Sequence, residues 1–311
     1  TARYASPEQA KGETLTGKAD VYSLAIVLIE AVTGVVPFTA DTTLVSWSMA
    51  KSVTHAAVGI LVGEGRLSLE APAPVAAWHG TAKEAITLQQ LLNMRDGLEW
   101  IEDYVDDSIS HCIEMLFGAG AGDMATYAAS RPLVHAPGTV WNYSSGTTNI
   151  VARIVGDAVG GGREGIEAFL HDRLFDPAAM ASASPRFDDA GTFVGSSYVY
   201  ATARDFARFG ELYRNDGVAT DGARVLPAGW RDHGRTFTAS DPEGEFDYGA
   251  HWWLWPDLPG SFAAHGYEGQ YTVVVPDCEL VVTHLGKVAA EQRPLVSERL
   301  REVVRSASNG A

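Results

Sequence analysis

The sequence predicts an α+β fold, and three observations predict it. Residues 46 to about 185 read mainly as helices joined by loops. Four later stretches, 248–255, 262–265, 271–275 and 280–284, carry the alternating or continuously apolar patterns of strands. A helical pattern over 293–305 then closes the chain. With 311 residues and 46% hydrophobic content, the chain has the material for a substantial core. The helical part is expected to form one wall of a cleft and the sheet the other.

The first helix is expected over residues 46–62, where Trp47, Ala50, Val53, Ala57, Ile60 and Leu61 leave almost no polar face, so it belongs in the interior. Within it stands Lys51, one of three lysines after the first forty residues, with Lys83 and Lys287. Burial disfavours the charged form of an amine, so its pKa falls and it can accept a proton, which arginine cannot do. Ser48 lies three residues earlier on the same helix face, and a hydroxyl beside a desolvated amine is a nucleophile with its base. The S-x-x-K pattern also fits a serine bonded to the preceding turn and a lysine whose stem snorkels to the surface.

Farther on, Pro137-Gly138 marks a turn and a helix is expected after Ser145-Gly146, which places Tyr143 on a loop at a helix entrance. A neighbouring ammonium would stabilise its phenolate and let it act as general base toward a serine; the alternative is a core tyrosine with its hydroxyl bonded. The Ala/Gly-rich run 118–122 is a loop inside the helical part. Among the strands, the run 251–255, H-W-W-L-W, can shape an acyl pocket, but alternate side chains face opposite ways and core packing is favoured for its tryptophans. The stretch S-F-A-A-H-G-Y-E-G-Q-Y reads as two strands with glycines where backbone comes close to something, so His265 and the backbone N–H of Tyr267 can line a cleft. Glu268 is a candidate for a cationic substrate end, against the commoner reading as a solvated carboxylate.

Composition excludes several classes of function. Lys and Arg total 23 against 39 Asp and Glu, a formal net charge of -16, which gives phosphate backbones no electrostatic footing and makes nucleic acid an improbable partner. Cys112 and Cys278 match no redox or metal spacing, so no disulfide, metal or cofactor is expected. No apolar run is long enough to span a bilayer. No signal-peptide pattern opens the chain, but it begins at Thr1 rather than Met, which leaves the compartment open with the cytoplasm favoured. Oligomeric state is not legible.

Several stretches together carry a resemblance. W-S-M-A-K-S-V-T with G-I-L-V-G-E-G-R-L-S-L, then L-L-N-M-R-D-G-L, W-N-Y-S-S-G-T-T-N, G-S-S-Y-V-Y-A-T-A-R-D-F-A-R-F-G and H-G-Y-E-G-Q occur in the order of the penicillin-recognising serine hydrolases. That group includes class C β-lactamases, D-alanyl-D-alanine peptidases, family VIII carboxylesterases and 6-aminohexanoate-dimer hydrolases, and the last are the nearest likeness. The resemblance implies a β-lactamase/transpeptidase-like fold, an antiparallel sheet flanked by helices plus a helical subdomain. It implies Ser48 as nucleophile, Lys51 as its proton partner and Tyr143 as general base. The backbone amides of Ser48 and Tyr267 would form the oxyanion hole, with Ser145, His265 and Gly266 among the substrate-binding groups. The chain departs from the β-lactamase and peptidase pattern at two places: Ser145 stands where Y-x-N has asparagine, and His265 replaces the lysine of K-T-G. Both changes turn the expectation toward small carboxylic esters or linear amides; the alternatives are β-lactamase or D-alanyl-D-alanine peptidase-like activity, or a catalytically impaired chimeric or truncated member that acts as a binding protein.

Residues 1–42 are expected to stand apart from the hydrolase unit, 43–311. Y-A-S-P-E-Q-A-K-G and G-K-A-D-V-Y-S-L-A-I-V-L-I-E-A-V-T-G-V-V-P-F resemble the end of a protein-kinase activation segment and the helix that follows, with Ser6-Pro7-Glu8 and Asp20 in matching positions. No glycine-rich ATP loop, V-A-I-K, H-R-D or D-F-G is present, so phosphoryl transfer has no machinery. Gly12 to Lys18 nearly spells a phosphate loop, but Ala19 replaces the magnesium-binding hydroxyl. The family resemblance further implies strands before the nucleophile helix, which this chain enters almost directly, so part of the sheet is expected to be missing.

Overall fold

The computed structural model describes residues 39–104, 110–242 and 244–308. The kinase-like stretch and the phosphate-loop-like run, up to residue 38, lie outside the described residues.

Among the described residues the chain builds a six-stranded sheet from its second half. Its strands are β4 (Ala239–Ser240), β5 (Asp247–Tyr248), β6 (Trp253–Leu254), β7 (Phe262–Gly266), β8 (Gln270–Val275) and β9 (Leu280–His284), in that order and antiparallel throughout. Three of the four expected strands fall where the apolar patterns lie. The fourth does not: 248–255 is a hairpin, with Tyr248 paired to Trp253 and Asp247 to Leu254. The reversal has a backbone cause. A Cβ at Gly249 would lie 2.1 Å from the Gly234 carbonyl oxygen, and His251 takes φ 57°, so the chain turns where the side-chain pattern reads straight on. Trp252 and Trp255 are buried as core, as expected for that run.

Strand alternation divides the sheet's two faces. Ala263, Tyr271, Val273, Val275, Leu280 and Val282 meet Leu300, Val303 and Val304 of the closing helix, Arg293–Ser308. Phe262, Ala264 and Val274 face the main core, where the expected first helix lies as a short 3-10 turn, Trp47–Met49, running into α1 (Ala50–Gly63). Every residue of α1 from Ala50 to Leu61 is buried, because the sheet covers one side and the helix α2 (Ser145–Val159) the other. Upstream of α1, β1 (Leu44–Val45) pairs with β3 (Val199–Ala201), which also pairs with β2 (Ser184–Pro185) in a separate small sheet. Among the described residues no strand before α1 joins the large sheet, and β9 is its edge. No helix among the described residues is long and apolar enough to cross a membrane.

One polar thread ties α1 into this core. Tyr213 Oη lies 2.7 Å from His55 Nδ1, His55 Nε2 lies 2.9 Å from His233 Nδ1, and His233 Nε2 lies 2.9 Å from Gln89 Oε1. Because the amide oxygen only accepts, His233 donates there, His55 donates to His233 and the phenol donates to His55. Both histidines are neutral in this chain. Burial holds His55 well below the usual histidine range, brings His233 down to about 4, and brings the nearby His251 down to about 3. The unfolded chain protonates these rings first, near pH 6.5. Their contribution is therefore complete above about pH 6.5 and is lost as the pH falls toward about 4 and below, at about 1.4 kcal/mol per pH unit for each histidine. Melting temperature should drop steeply between pH 6.5 and 4, and the non-titrating His233→Gln variant should flatten part of that drop. A wild-type Tm that is level over the interval would contradict the assignment.

Candidate active site

Ser48 sits where the 3-10 turn enters α1, and the residue before it is held in an unusual conformation. Trp47 has φ 45°, in the left-handed region where a bulky residue is strained. The turn is fixed from behind: Ser46 is fully buried, with its amide on the Val199 carbonyl and its hydroxyl on Ser197 O and Trp47 O. This geometry leaves Ser48 half-buried at the positive end of a 14-residue helix, where negative charge on a reacting oxygen is favoured.

Lys51 is 2% exposed. Its Nζ lies 3.0 Å from Ser48 Oγ, 2.9 Å from Ser145 Oγ and 3.0 Å from Ser196 O. The expected snorkelling alternative is thereby set aside, since the amine ends among three acceptors inside the protein. Burial lowers its pKa, while the Glu102 carboxylate nearby pulls the other way. Counting protons gives this network a direction. Ser145 gives its hydroxyl hydrogen to Glu102, and Ser196 offers only a carbonyl, so Lys51 must donate to both. A neutral Lys51 amine then has its lone pair left for Ser48 alone.

Tyr143 stands beside the same pair. Its ring packs on Trp253, with centroids 5.2 Å apart, and Ser48 and Trp253 are polar neighbours that partly offset the rise of its pKa. The expected phenolate is not what this environment favours: burial, then the charge of Glu102, pushes the Tyr143 hydroxyl far above the ordinary phenol range. Lys51 lies over its ring, 4.8 Å from the centroid, rather than against its oxygen. Tyr143 is thus a neutral hydroxyl, and the Lys51 amine is the group that burial pushes toward its neutral form. The hydrogen bonds run from Lys51 Nζ to Ser48 Oγ, Ser145 Oγ and Ser196 O, and from Ser145 Oγ on to Glu102.

Glu102 was not legible in the sequence. It is one acid in the run E-W-I-E-D-Y-V-D-D, yet its carboxylate accepts from Ser145 N at 2.9 Å, Ser145 Oγ, Trp100 Nε1 and Tyr104 Oη at 2.6 Å. The only local hint is the pair of aromatic donors two residues to either side. Gly146 opens room for this corner, because a Cβ there would lie 2.4 Å from the Trp100 ring.

The strand wall supplies backbone and aromatic rings. β7 approaches the Ser48 turn so closely that a Cβ on Gly266 would lie 2.4 Å from Ser46 O and 3.4 Å from Met49 Cγ, so a side chain there would push the strand off. Tyr267 follows at the strand end, 36% exposed, with its ring 6.1 Å from Trp47 and 4.9 Å from Tyr104. Its backbone therefore runs beside the turn that carries Ser48. Glu268 is held rather than solvated, accepting from Trp47 Nε1 at 3.1 Å and lying 3.7 Å from Lys287 Nζ. Two residues expected to bind substrate are engaged inside the protein. The Ser145 hydroxyl is shared between Lys51 and Glu102. His265 points to the sheet face that carries the closing helix: it stacks on Trp253 at 5.2 Å and accepts from Trp255 Nε1 at 2.8 Å. The reason is strand alternation, which sends His265 to the same face as Ala263.

Comparison with known proteins agrees with this architecture. Residues 16–302 match the model of the Beta-lactamase family. The 6-aminohexanoate-dimer hydrolase of Paenarthrobacter ureafaciens is 30% identical over 262 residues, 76% of this chain and 64% of that protein, so the chain spans under two thirds of that relative's length. A 41-residue stretch, 13% of this chain, is 58% identical to 7% of the serine/threonine-protein kinase PknB of Mycolicibacterium smegmatis. Among solved structures, a Bacillus anthracis protein named for the 6-aminohexanoate-dimer hydrolases superposes with TM-score 0.75 at 22% identity, over 88% of this chain and 75% of that one. A family VIII carboxylesterase superposes with TM-score 0.62 at 16% identity, over 86% and 84%. The fold is therefore the β-lactamase/transpeptidase-like α+β fold, and the chain belongs to the Beta-lactamase family.

Proposed function

We propose that this chain is a serine hydrolase that cleaves small carboxylic esters or linear amides through an acyl-enzyme on Ser48. The observation that carries the reading is the placement of a buried amine 3.0 Å from a serine hydroxyl at a helix N-terminus, with its other two contacts fixed as acceptors. Ser48 Oγ attacks the substrate carbonyl as its proton passes to Lys51. The backbone amides of Ser48 and Tyr267 receive the oxyanion. The C–O or C–N bond then breaks as Lys51 returns the proton to the departing oxygen or nitrogen, beside the neutral Tyr143 hydroxyl. A water molecule next attacks the ester on Ser48, giving a proton to Lys51; the bond from the acyl carbon to Ser48 Oγ breaks, Lys51 returns that proton to Oγ, and the acid departs. Glu102 holds Ser145 as an acceptor and offsets the charge that Lys51 gains. The names of the hydrolase and carboxylesterase relatives support the same reaction class.

The preference for esters and linear amides over β-lactams rests on the two engaged side chains. Ser145 has no spare hydrogen for a substrate amide, and His265 stands behind Trp253 where a cationic anchor would be needed. Losing hydrogen bonds that involve charged groups costs about 1.5–3 kcal/mol each, or roughly tenfold to a hundredfold in rate. An activated ester needs only the nucleophile and the oxyanion donors. We expect measurable kcat/KM on p-nitrophenyl butyrate and far lower values on nitrocefin under the same conditions. Nitrocefin as the better substrate would refute the preference. Residues 1–42 are taken as a segment apart from this unit, a reading supported by the 41-residue kinase likeness, although the family match starts within it, at residue 16.

A further inference from the structure

Seven non-glycine residues among the described residues take left-handed φ, and two of them are bonded to each other across the candidate site. Trp47 has φ 45° and Glu268 has φ 64°. The Trp47 indole donates from Nε1 to Glu268 Oε2 at 3.1 Å. Ser48 follows Trp47 directly and Tyr267 comes directly before Glu268, so each amide proposed as an oxyanion donor is the chain neighbour of one end of this bond. Backbone in a costly conformation persists only where its surroundings over-determine it, and such residues gather at functional sites. The turn between β7 and β8 is fastened at two levels. At its base Gly266 pairs with Gln270, Gly266 packs against Ser46 O, and Gln270 Nε2 donates to Val45 O at 2.6 Å. These contacts set how near the strand lies to the segment before Ser48. Beyond that rung stand Tyr267, Glu268 and Gly269, and the bond from Trp47 ties this tip to the nucleophile turn. Lys287 lies 3.7 Å from the other carboxylate oxygen, but its side chain is 79% exposed, so that pair adds little. What Glu268 supplies to the turn is an acceptor for the indole.

We propose that Glu268 is a positioning residue for the oxyanion donors: by holding Trp47 Nε1 it fixes the Tyr267 amide relative to the Ser48 amide, so that both are aimed before substrate arrives. This rests on the hydrolase reading above. Oxyanion donors act because they are preorganised, and a displacement of about 1 Å can cost on the order of a hundredfold in rate. They meet charge that develops in the transition state, so loosening them lowers kcat and leaves KM nearly as it was. Position 268 needs only a hydrogen-bond acceptor, which a glutamine amide oxygen provides and a glycine does not.

The test uses p-nitrophenyl butyrate and variants at both ends of the bond. Glu268→Gly removes the acceptor yet suits a left-handed φ, so its Tm should hold while kcat falls by about tenfold to a hundredfold with little change in KM. Trp47→Phe keeps a ring and loses the N–H, and it should lose a similar factor. The double variant should be no worse than either single one, because both remove the same bond. Glu268→Gln should recover most of the kcat that Glu268→Gly loses. A second readout is the affinity for 1-butaneboronic acid, which adds reversibly to Ser48 Oγ as the hydroxyl proton passes to Lys51, and which places a boron-bound oxygen between the donors. That affinity should weaken in Glu268→Gly by a factor close to its loss in kcat/KM, as expected of a transition-state analogue. A Glu268→Gly variant within about threefold of wild type, additive losses in the double variant, or no recovery by glutamine, whatever the Tm, overturns this proposal alone. A folded wild-type protein that does not hydrolyse the ester removes the hydrolase reading and this proposal with it.

Discussion

Ser48→Ala should lower kcat/KM for p-nitrophenyl butyrate by roughly 10⁴-fold or more, the scale on which loss of a nucleophile acts when oxyanion donors and binding remain. The variant should fold normally. Ser48 is half-buried, its hydroxyl is one of three contacts of Lys51, and the turn that carries it is held by Ser46, whose bonds do not involve residue 48. An unchanged Tm with turnover gone separates loss of chemistry from loss of structure. Turnover within tenfold of wild type would show that another group performs the attack.

Lys51→Arg should be nearly as damaging as Lys51→Ala, with losses of about 10²–10⁴-fold, the usual contribution of a positioned general base. Arginine keeps the positive charge and can still donate to Ser145 and Ser196, but it has no lone pair for the Ser48 proton. It is also larger than a site where Lys51 is 2% exposed can take without shifting Ser196 or Tyr143. The pH dependence distinguishes these two causes. Burial lowers the Lys51 pKa, so wild-type kcat/KM should rise with pH as the amine deprotonates, below the ordinary lysine range. In Lys51→Arg any residual activity should lack that rise. An arginine variant with substantial activity and a wild-type pH profile would show that charge, not proton transfer, is what position 51 supplies.

Much of the site was legible because its central pair lies within one turn of helix. Ser48 and Lys51 are three residues apart, and the apolar surround from Trp47 to Leu61 announces that the amine is buried. Tyr143 was placed by the turn at Pro137-Gly138 and by the start of the helix Ser145–Val159. What the sequence did not reveal depends on contacts between distant segments. Glu102 meets Ser145 and, through it, Lys51, a set spread over almost one hundred positions. The protonation of Tyr143 depends on how completely Trp141, Tyr248 and Trp253 exclude water from it. The hairpin inside 248–255 comes from Gly249 packing against the Gly234 carbonyl, a contact that no periodicity in W-W-L-W encodes. The orientation of His265 follows from the register of β7, which two-residue alternation predicts once the strand's core face is known, but a cleft-facing assignment chose the other face.

The central claim is that Ser48 is an activated nucleophile, and covalent labelling tests it most directly. The folded protein, incubated with a fluorophosphonate and analysed by intact mass and peptide mapping, should gain one adduct on the Ser48 peptide, and Ser48→Ala should gain none. A folded wild-type protein that stays unlabelled, or a Ser48→Ala variant that labels as fast as wild type, would contradict the account.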